Sequence, residues 1–362
     1  MHLKRATISN FKNIGEMEIL FSPKINFITG VNGSGKTNLL DVVYYLSMTK
    51  SYFSNSDLYS VKHGETFFSV TGEYGEGDRI TVNMTKEGEK VVKKNMKSYS
   101  RLSDHIGSIP IVMISPYDTT LINESGEERR KFINSILSQI DREYLRRVQN
   151  YNSLLAQRNR LLKSTDAMVR NSDLLDVFSE KLSVNASYIY NKRRLFVEEL
   201  LPFVSKYYNM VSGAKEEIGI QYRSDIEHGE LSLLLKKSID RDLSLKYTSV
   251  GIHRDDLIFT MGGYPIKSYG SQGQQKSFLV SLKLAQFEMM KGMSGKKPIL
   301  LLDDVFDKLD IHRVESLLDI VSSDSFGQIF ITDSNKMRAE KILDKIDSES
   351  FVHEMASGRM LS

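Results

Sequence analysis

The sequence contains no cysteine, and it has no apolar run that approaches the length of a membrane span. Without thiols, the chain can form neither a disulfide framework nor a thiolate metal site. The first residues, Met1 to Arg5, are not followed by the apolar core of a secretory signal peptide. Internal repeats and low-complexity segments are also lacking. These absences predict a soluble, cytoplasmic protein without a membrane partner.

The composition is that of a globular chain. Its 362 residues are 40% hydrophobic and 26% charged, which is typical of one large or two moderate domains. The net charge of +3 is small but unevenly distributed. Between Arg129 and Arg194, 14 lysines and arginines stand against six acidic residues, a net of +8, so the remainder carries −5. A basic segment on a slightly acidic body indicates a local anionic partner.

The segment from Gly30 to Thr37, GVNGSGKT, fits the phosphate-binding loop pattern G-x-x-x-x-G-K-[ST]. Residues 25–29 predict a buried strand before it, and residues 38–46 predict a helix after it. Glycines let backbone N–H groups turn toward an anion, and the positive end of the helix dipole points to the same place. A glycine turn that binds nothing is disfavoured, because this strand and helix are the context that the motif requires.

We therefore predict that the loop binds ATP with Mg²⁺. Lys36 should reach the β- and γ-phosphates as a catalytic residue, and the Thr37 hydroxyl should ligate the metal. The predicted nucleotide contacts of this segment are Gly30, Val31, Asn32, Gly33, Ser34, Gly35, Lys36, Thr37 and Asn38.

A second element of the same site is the apolar run at 298–302, which ends in Asp303 and Asp304. Such a run is typical of a central parallel strand, and ligands of open α/β sheets bind at the carboxyl edge. We predict that Asp303 holds Mg²⁺ through water and that Asp304 polarises the attacking water as general base. Two acids that merely solvate a strand end are the alternative, which Lys36 and Thr37 disfavour.

The segment from Ser271 to Lys276, SQGQQK, opens a predicted helix and resembles the S-G-G-Q signature of ABC-type ATPases. A serine hydroxyl, a flexible glycine and backbone N–H groups at a helix N-terminus suit a γ-phosphate. The resemblance implies that this signature reaches only the nucleotide of a second subunit, and hence an ATP-dependent homodimer with two composite sites. The predicted contacts are Ser271, which is also predicted to be catalytic, Gly273 and Gln274.

Three further positions bear on this resemblance. Residues 305–310 stand where such ATPases have the D-loop, and Thr332 stands where many have a switch histidine. No Q-loop glutamine follows the predicted strand at 109–114, because Ser115 and Pro116 stand there.

Two long apolar patterns indicate a helical insert. Residues 127–163 contain no glycine or proline, and their apolar residues recur at intervals of three and four. A second run covers 172–201 and is followed by Pro202, so the two predict an antiparallel helical hairpin. We predict that this basic insert contacts DNA phosphates without reading sequence, although a merely solvated basic face is the alternative. The predicted DNA contacts are Arg142, Arg146, Arg147, Lys192 and Arg193.

Six strings together resemble the RecF family of bacterial recombination and replication-repair ATPases, which is related to the SMC heads. They are residues 10–13 (NFKN), 33–40 (GSGKTNLL), 128–132 (ERRKF), 157–159 (QRN), 251–257 (GIHRDDL) and 271–275 (SQGQQ). The resemblance covers nearly the whole chain and implies nucleotide contacts from Lys12 and Asn13 as well. It also implies a role at single-strand gaps, where RecO and RecR partners help to load the recombinase.

Some positions depart from the family pattern. Ile252 stands where the family usually has proline, Asp41 where it has glutamate, and Phe53 where an arginine is common. Gly126 replaces a proline before an arginine pair. None of these positions is a predicted phosphate ligand. The polar cluster at 253–256 (HRDD) is interpreted as a structural network of paired charges rather than as a metal or general-base site.

The predicted architecture is an α/β, ABC/SMC-type P-loop ATPase head with an inserted α-helical lobe. Residues 1–125 and 245–362 are assigned to the head, and residues 126–244 to the lobe. A transporter ATPase subunit shares the motifs, but the basic insert argues against it. An SMC-like protein would need long coiled-coil arms, for which the chain is too short. A small-molecule P-loop kinase would lack the Ser271 signature.

Overall fold

A computed structural model of the chain describes residues 1–75, 77–164, 173–213, 216–308, 310–335 and 349–361. These residues form two compact units. The first unit consists of Met1–Asp118, Met210–Ser212 and Lys276–Ser362. The second unit consists of Thr119–Asn209 and Gly213–Gln275. The predicted terminal helix near 336–346 lies outside the described residues.

The first unit contains most of the strands. They are β1 (Leu3–Phe11), β2 (Ile14–Leu20), β3 (Ile25–Thr29), β4 (Phe67–Tyr74), β5 (Arg79–Thr85), β6 (Lys90–Lys94), β7 (Lys97–Ser98), β8 (Ile111–Ile114), β12 (Ile299–Leu302), β13 (Ile329–Asp333), β14 (Ser350–Ala356) and β15 (Arg359–Met360). The second unit contributes β9 (Ile218–Arg223), β10 (Asp256–Met261) and β11 (Tyr264–Pro265).

The α-helices of the described residues occur mainly between β8 and β13. They are α1 (Lys36–Met48), α2 (Thr120–Asn123), α3 (Gly126–Ile140), α4 (Arg142–Leu162), α5 (Leu174–Ser212), α6 (Leu231–Lys237), α7 (Ile239–Leu245), α8 (Ile266–Tyr269), α9 (Gln272–Ser294) and α10 (Ile311–Ser322). In the part of the chain that the structure describes, no helix combines the length and the apolarity that a membrane crossing requires.

The first unit is built around a sheet with the strand order β15-β14-β3-β13-β12-β8. Strands β8, β12, β13, β3 and β14 pair in parallel, and every residue of β3, β8, β12 and β13 is buried. Burial on both faces explains why β8 and β12 are continuous apolar runs and why β3 and β13 are mostly apolar rather than regularly alternating. The strands predicted at 25–29 and 298–302 are confirmed. Because the strands are parallel, the segments that follow β3, β12, β13 and β8 meet at one edge.

A second sheet in this unit is antiparallel, with the order β2-β1-β4-β5-β6-β7. Its strands alternate between buried and exposed residues, as expected when one face packs on a core. The buried face meets α1 through Phe11, Tyr45 and Phe68, whose ring centroids lie 5.1–5.7 Å apart in edge-to-face arrangements. Such pairs contribute about 0.5–1.5 kcal/mol each beyond their area burial. The sheet therefore fixes the helix that begins at the glycine loop.

The second unit combines helices with the antiparallel sheet β11-β10-β9. Helices α4 and α5 run antiparallel, because the contacts progress from Asp141–Lys192 to Asn150–Asn185. The predicted helical hairpin is therefore confirmed, but its two runs differ from the expectation in detail. The first is not one helix, because Asp141 adopts an extended backbone conformation and caps α4 by accepting a hydrogen bond from the Tyr144 N–H at 2.9 Å.

The second run continues past its predicted end. Helix α5 extends to Ser212, and Pro202 lies inside it. A proline in a helix interior removes one hydrogen bond and costs about 3 kcal/mol or more. Leu200, Val204 and Tyr208 are fully buried on either side of it. We attribute the continuity of the helix to the burial of this apolar face, which outweighs the local backbone preference.

The unit boundaries also differ from the division expected from the sequence. Residues 245–275 were assigned to the head, whereas the structure includes them in the second unit. The physical reason is strand pairing, since β10 forms a six-residue antiparallel ladder with β9, from Asp256–Arg223 to Met261–Ile218. An isolated strand pattern does not reveal which sheet completes its hydrogen bonds.

One arginine of the basic insert is part of the interior. Arg158 is fully buried, and its Nη1 donates to Asp242 Oδ2 at 2.8 Å and to Thr248 Oγ1 at 2.7 Å. Asp242 is fully buried too, and its other oxygen accepts from the Ser249 N–H at 2.9 Å. The pair joins α4 to α7 and to the segment that follows it.

Replacing Arg158 with methionine should lower the free energy of unfolding by about 3–5 kcal/mol, because Asp242 would remain as an unpaired buried charge. The matched control is Arg160→Met, an exposed arginine of the same helix, which should change the free energy by about 0.5 kcal/mol or less. Urea unfolding followed by circular dichroism measures both. Equal midpoints for the two variants would contradict the prediction.

Candidate functional site

The candidate site begins at the loop between β3 and α1. Gly30, Gly33 and Gly35 have φ angles of 149°, 80° and 111°, a region that favours glycine. A Cβ on Gly30 would lie 2.3 Å from the Met355 carbonyl oxygen, and one on Gly35 would lie 3.0 Å from the Asn13 side-chain oxygen. Two glycines of the pattern are therefore required by close packing as well as by backbone conformation.

Side chains around the loop fix its shape. The Lys36 ammonium is buried and donates to the carbonyl oxygens of Gly30 at 2.9 Å and Val31 at 3.3 Å. The Asn38 amide donates to Asn13 Oδ1 at 2.8 Å. The backbone N–H of Gly358, in the turn between β14 and β15, donates to the Ser34 carbonyl at 2.7 Å. The loop is thus braced by the N-terminal and C-terminal hairpins of its own unit.

The acidic end of β12 meets this loop. Asp303 Oδ1 accepts hydrogen bonds from the hydroxyls of Thr37 and Thr332, both at 2.9 Å. Burial raises the pKa of the Asp303 carboxyl to about 6. A divalent cation beside this carboxylate would favour its ionised form. The structure therefore brings together the hydroxyl and the carboxylate that the sequence assigned to the metal.

Asp304 lies at the same edge in a left-handed conformation, with a φ of 43°. Its backbone N–H donates to Thr332 Oγ1 at 2.9 Å. Thr332 thus orients both acids. In the sequence it stands where many such ATPases have a switch histidine, and no contact with the acids was predicted for it. The signal that could have found it is a polar side chain at the end of the strand that neighbours β12.

A cavity of about 450 Å³ opens between the loop and the acidic edge. This volume falls in the range of small-molecule sites. Its lining consists of Asn32, Gly33, Gly35, Lys36, Thr37, Asn38, Pro116 and Asp304. In the sequence, Pro116 marked only the position where a Q-loop glutamine is absent, and the parallel sheet is what brings it to this wall.

Lys12 departs from its predicted role. Its ammonium is 2.6 Å from Asp41 Oδ2, and Asp41 is fully buried in α1. The lining of the cavity does not include Lys12. In this structure Lys12 is therefore held by a carboxylate behind the loop, since a buried carboxylate left unpaired would be costly.

The signature-like segment belongs to the second unit, whereas the glycine loop belongs to the first. Ser271 is exposed at the N-terminus of α9. Its hydroxyl accepts from the Gln274 N–H at 3.3 Å, and Gln274 Oε1 accepts from the Ser271 N–H at 2.8 Å. This reciprocal capping box fixes the first turn of the helix, which also includes Gly273.

One predicted DNA contact is wrong. Arg193 is buried, and its guanidinium donates to Asp255 Oδ2 at 2.6 Å and to the Tyr144 hydroxyl at 3.0 Å. An interior arginine bound in this way cannot reach a phosphate backbone. Asp256 similarly accepts from Arg129 Nε at 2.6 Å. The interpretation of residues 253–256 as a network of paired charges is confirmed.

The other predicted DNA contacts lie toward the surface. Arg142 is exposed at the start of α4. Arg146 and Arg147 both donate to Glu143 Oε1 at 2.6 Å, and these hydrogen bonds lower the pKa of Glu143 to about 2. The Lys192 ammonium is 2.8 Å from Asp141 Oδ2. Ion pairs at the surface are screened by solvent and weak, so a phosphate can compete with Glu143 for Arg146.

Comparison with known sequences gives a consistent result. The sequence model of the RecF/RecN/SMC N terminal domain matches residues 2–356. DNA replication and repair protein RecF of Flavobacterium johnsoniae is 45% identical over 347 residues, which cover 95% of this chain and 97% of the relative. The protein of the same name from Bacteroides thetaiotaomicron is 43% identical over 362 residues, which cover 99% of this chain and 98% of the relative.

Solved structures agree with these relatives. A structure of the recombination mediator protein RecF with ATP, in the RecFOR pathway, has a TM-score of 0.89 at 31% identity. The match covers 100% of this chain and 98% of that one. The Smc head domain of Pyrococcus furiosus has a TM-score of 0.55 at 16% identity, covering 99% of this chain and 95% of that one, and is similar in fold alone.

Replacing Lys36 with alanine should weaken ATP binding about 10- to 150-fold, because a hydrogen bond to a charged group contributes about 1.5–3 kcal/mol. Isothermal titration calorimetry with MgATP measures the change. Lys291→Ala, which removes a lysine paired with Glu288 on α9, is the control and should bind like the parent. Parental affinity in the Lys36 variant would overturn the assignment of the loop.

Proposed function

The chain belongs to the RecF family of DNA replication and repair proteins, and on that premise we propose that it is an ATPase whose ATP-bound form dimerises on DNA. The observation that carries this proposal is the hydrogen bond of 2.9 Å between Thr37 and Asp303. It joins the end of the phosphate loop to the acidic strand, which is the pair of elements that ATP hydrolysis with Mg²⁺ requires.

The residues of the cavity fit a nucleoside triphosphate. Gly33 and Gly35 line it with left-handed backbone, and α1 directs its positive N-terminus to the same place. Lys36 supplies a positive charge at the loop, where the β- and γ-phosphates would lie. A conformation that needs glycine at three positions, together with a lysine and a helix N-terminus, suits a phosphate chain.

The same residues fit Mg²⁺. Among the described residues there is no group of three or more histidines and acids that could hold a metal. Mg²⁺ does not need one, because it keeps several waters and binds through one or two carboxylates and the phosphates of the substrate. Thr37 and Asp303 would hold it, and the bound metal would neutralise charge on the phosphates.

Asp304 is the proposed general base. Asp304 lines the cavity, and its backbone N–H is fixed by the Thr332 hydroxyl. It would accept the proton of the attacking water, while Lys36 stabilises the negative charge that develops on the phosphates. The slow hydrolysis that we propose then acts as a timer for release from DNA.

Dimerisation follows from the exposed signature. Ser271 and the first turn of α9 are preorganised by their capping box, and the exposed hydroxyl can contact the γ-phosphate held by a second copy. ATP would add contacts only in the dimer and would therefore stabilise it by linkage. We further propose that the predicted head and lobe are functional domains. Residues 245–275, which the sequence assigned to the head, are included with the lobe because they belong to the second unit.

The solved relatives are described as acting in the RecFOR pathway. This supports the proposal that the chain acts with RecO and RecR at single-strand gaps to help load a recombinase. The DNA surface that we propose consists of Arg142, Arg146, Arg147 and Lys192, without Arg193.

Asp304→Asn should bind MgATP, hydrolyse it at least about tenfold more slowly and accumulate as a dimer, because the proposed base is lost while Thr37 and Asp303 remain. Adding Ser271→Arg should return this variant to a monomer that still binds ATP, since the cation would occupy the position of the docking phosphate. Sedimentation velocity with and without ATP measures both. A dimer in the double variant would contradict the composite site, and unchanged turnover in Asp304→Asn would place the base elsewhere.

Replacing Arg142 and Arg146 with alanine should weaken binding to all duplex sequences about equally. The slope of log K against log salt should flatten by about 1.8, because each contacted phosphate contributes about 0.9. Fluorescence anisotropy at several salt concentrations measures the slope. The control is Lys236→Ala with Lys237→Ala, which removes equal charge from exposed positions on α6. Equal losses in both double variants would indicate a general charge effect rather than this surface.

A further inference from the structure

A continuous chain of polar contacts crosses the interior of the first unit. The Lys12 ammonium is 2.6 Å from Asp41 Oδ2, and Asp41 Oδ1 accepts from the Tyr52 N–H at 2.8 Å. The Tyr52 hydroxyl donates to Asp118 Oδ1 at 2.5 Å. The Lys283 ammonium lies 2.8 Å from the same Asp118 oxygen and 3.1 Å from the Tyr52 hydroxyl. We call these five residues the buried polar chain.

The buried polar chain balances two ammonium groups against two carboxylates. Asp41 is fully buried, and Asp118 and Lys283 are each 4% exposed. Taking such groups out of water costs several kcal/mol per ion, and a buried ion pair is a weak source of stability compared with apolar packing. A contribution to the free energy of unfolding therefore does not explain why charged residues occupy these buried positions. Their positions beside the nucleotide cavity and α9 indicate a functional role instead.

Asp118 connects the buried polar chain to a wall of the nucleotide cavity. Asp118 Oδ2 accepts from the Ser115 N–H at 2.8 Å, directly after β8. Pro116, between these two residues in sequence, lines the cavity. Asp41 belongs to α1 and lies one turn after Thr37, on the same face of the helix. Both carboxylates are thus attached to elements that contact the site.

The buried polar chain ends in α9 with Lys283, the partner of Asp118. Lys283 is in the middle of this helix, whose first turn contains Gly273 and Gln274. A shift of the segment that contains Pro116 would change the position of Asp118, and the ammonium of Lys283 would have to follow or lose its partners. A helix moves as a rigid element, so such a displacement reaches its N-terminus.

We propose that Asp118 and Lys283 are positioning residues that couple occupancy of the nucleotide cavity to helix α9. This inference rests on the proposed function, because it concerns the same site. Neither residue lines the cavity. Tyr52 links Asp118 to Asp41 of α1. The phosphate loop and the end of β8 would therefore move together when a nucleotide binds.

The experiment compares the parent with the double variant Asp118→Asn and Lys283→Met. It removes both charges, so that no unpaired buried ion remains, and keeps an oxygen for the Tyr52 hydroxyl. The matched control is Glu288→Gln with Lys291→Met, which removes an ion pair of 3.5 Å from the same helix. Hydrogen exchange of residues 276–290 is measured with and without a slowly hydrolysed ATP analogue. Affinity for the analogue, kcat and KM for ATP are measured in parallel.

In the parent and the control, binding of the analogue should change the rate of amide hydrogen exchange in α9. The double variant should bind the analogue within about threefold of the parent, because the loop contacts are untouched. Its exchange response should be lost, and its kcat should fall about 10- to 100-fold at nearly constant KM, as expected for misplaced catalytic groups. If it fails to fold, Tyr52→Phe removes only the bridging hydroxyl and should reduce kcat and the exchange response in the same direction.

A folded double variant with the exchange response and kcat of the parent would overturn the inference and leave a purely structural ion pair. A parent whose α9 exchange does not respond to the bound analogue would overturn it as well. A parent that shows the response without hydrolysing ATP would instead overturn the proposed ATPase activity and leave the coupling standing.

Discussion

The hydrogen bond between Thr37 and Asp303 joins residues that are 266 positions apart in the chain. It exists because β3, β13 and β12 are parallel neighbours, so that the loops after them emerge at one edge. Parallel pairing requires long crossover connections, and the chain uses one of them to include the whole second unit. The glycine loop, the two acids after β12 and Thr332 lie close together only because these strands are parallel neighbours. If the register of β12 shifted by one residue, Asp303 and the buried leucine before it would exchange faces of the sheet.

Buried ion pairs are the second feature that organises the structure, and they occur in both units. Within the second unit, Arg158 with Asp242 joins α4 to α7, and Arg193 with Asp255 joins α5 to the residue before β10. Lys283 with Asp118 does the same for α9 and the end of β8 in the first unit. Each pair is costly to form and costly to break, so it specifies one arrangement of elements more than it adds stability. The basic character of the insert is therefore partly an interior property, which reduces the charge available to an anionic partner.

Local patterns predicted much of the fold. The run at 298–302 is continuously apolar and the run at 25–29 is mostly apolar, which favoured buried strands in both places, and both are central strands. The glycines of the loop and the acids after β12 were identified because each motif needs a fixed residue type at a fixed spacing. Local patterns failed where tertiary packing competed with them. Asp141 interrupts a sustained helical stripe, and Pro202 fails to end one, because burial and capping outweigh intrinsic preference there.

The sequence by itself determined which chemistry the chain can perform, since the loop, the acidic strand end and the signature are defined by residue identity and spacing. Only the tertiary structure decided which residues perform it. Arg193 and Arg142 are equally basic in sequence, yet one is enclosed by Asp255 and Tyr144 while the other is exposed. Thr332 and Pro116 stand at motif positions without the residue that the motif would have, and Lys283 belongs to no motif. Their places depend on strand pairing and helix packing between distant segments, and these contacts have no fixed sequence separation from which they could be inferred.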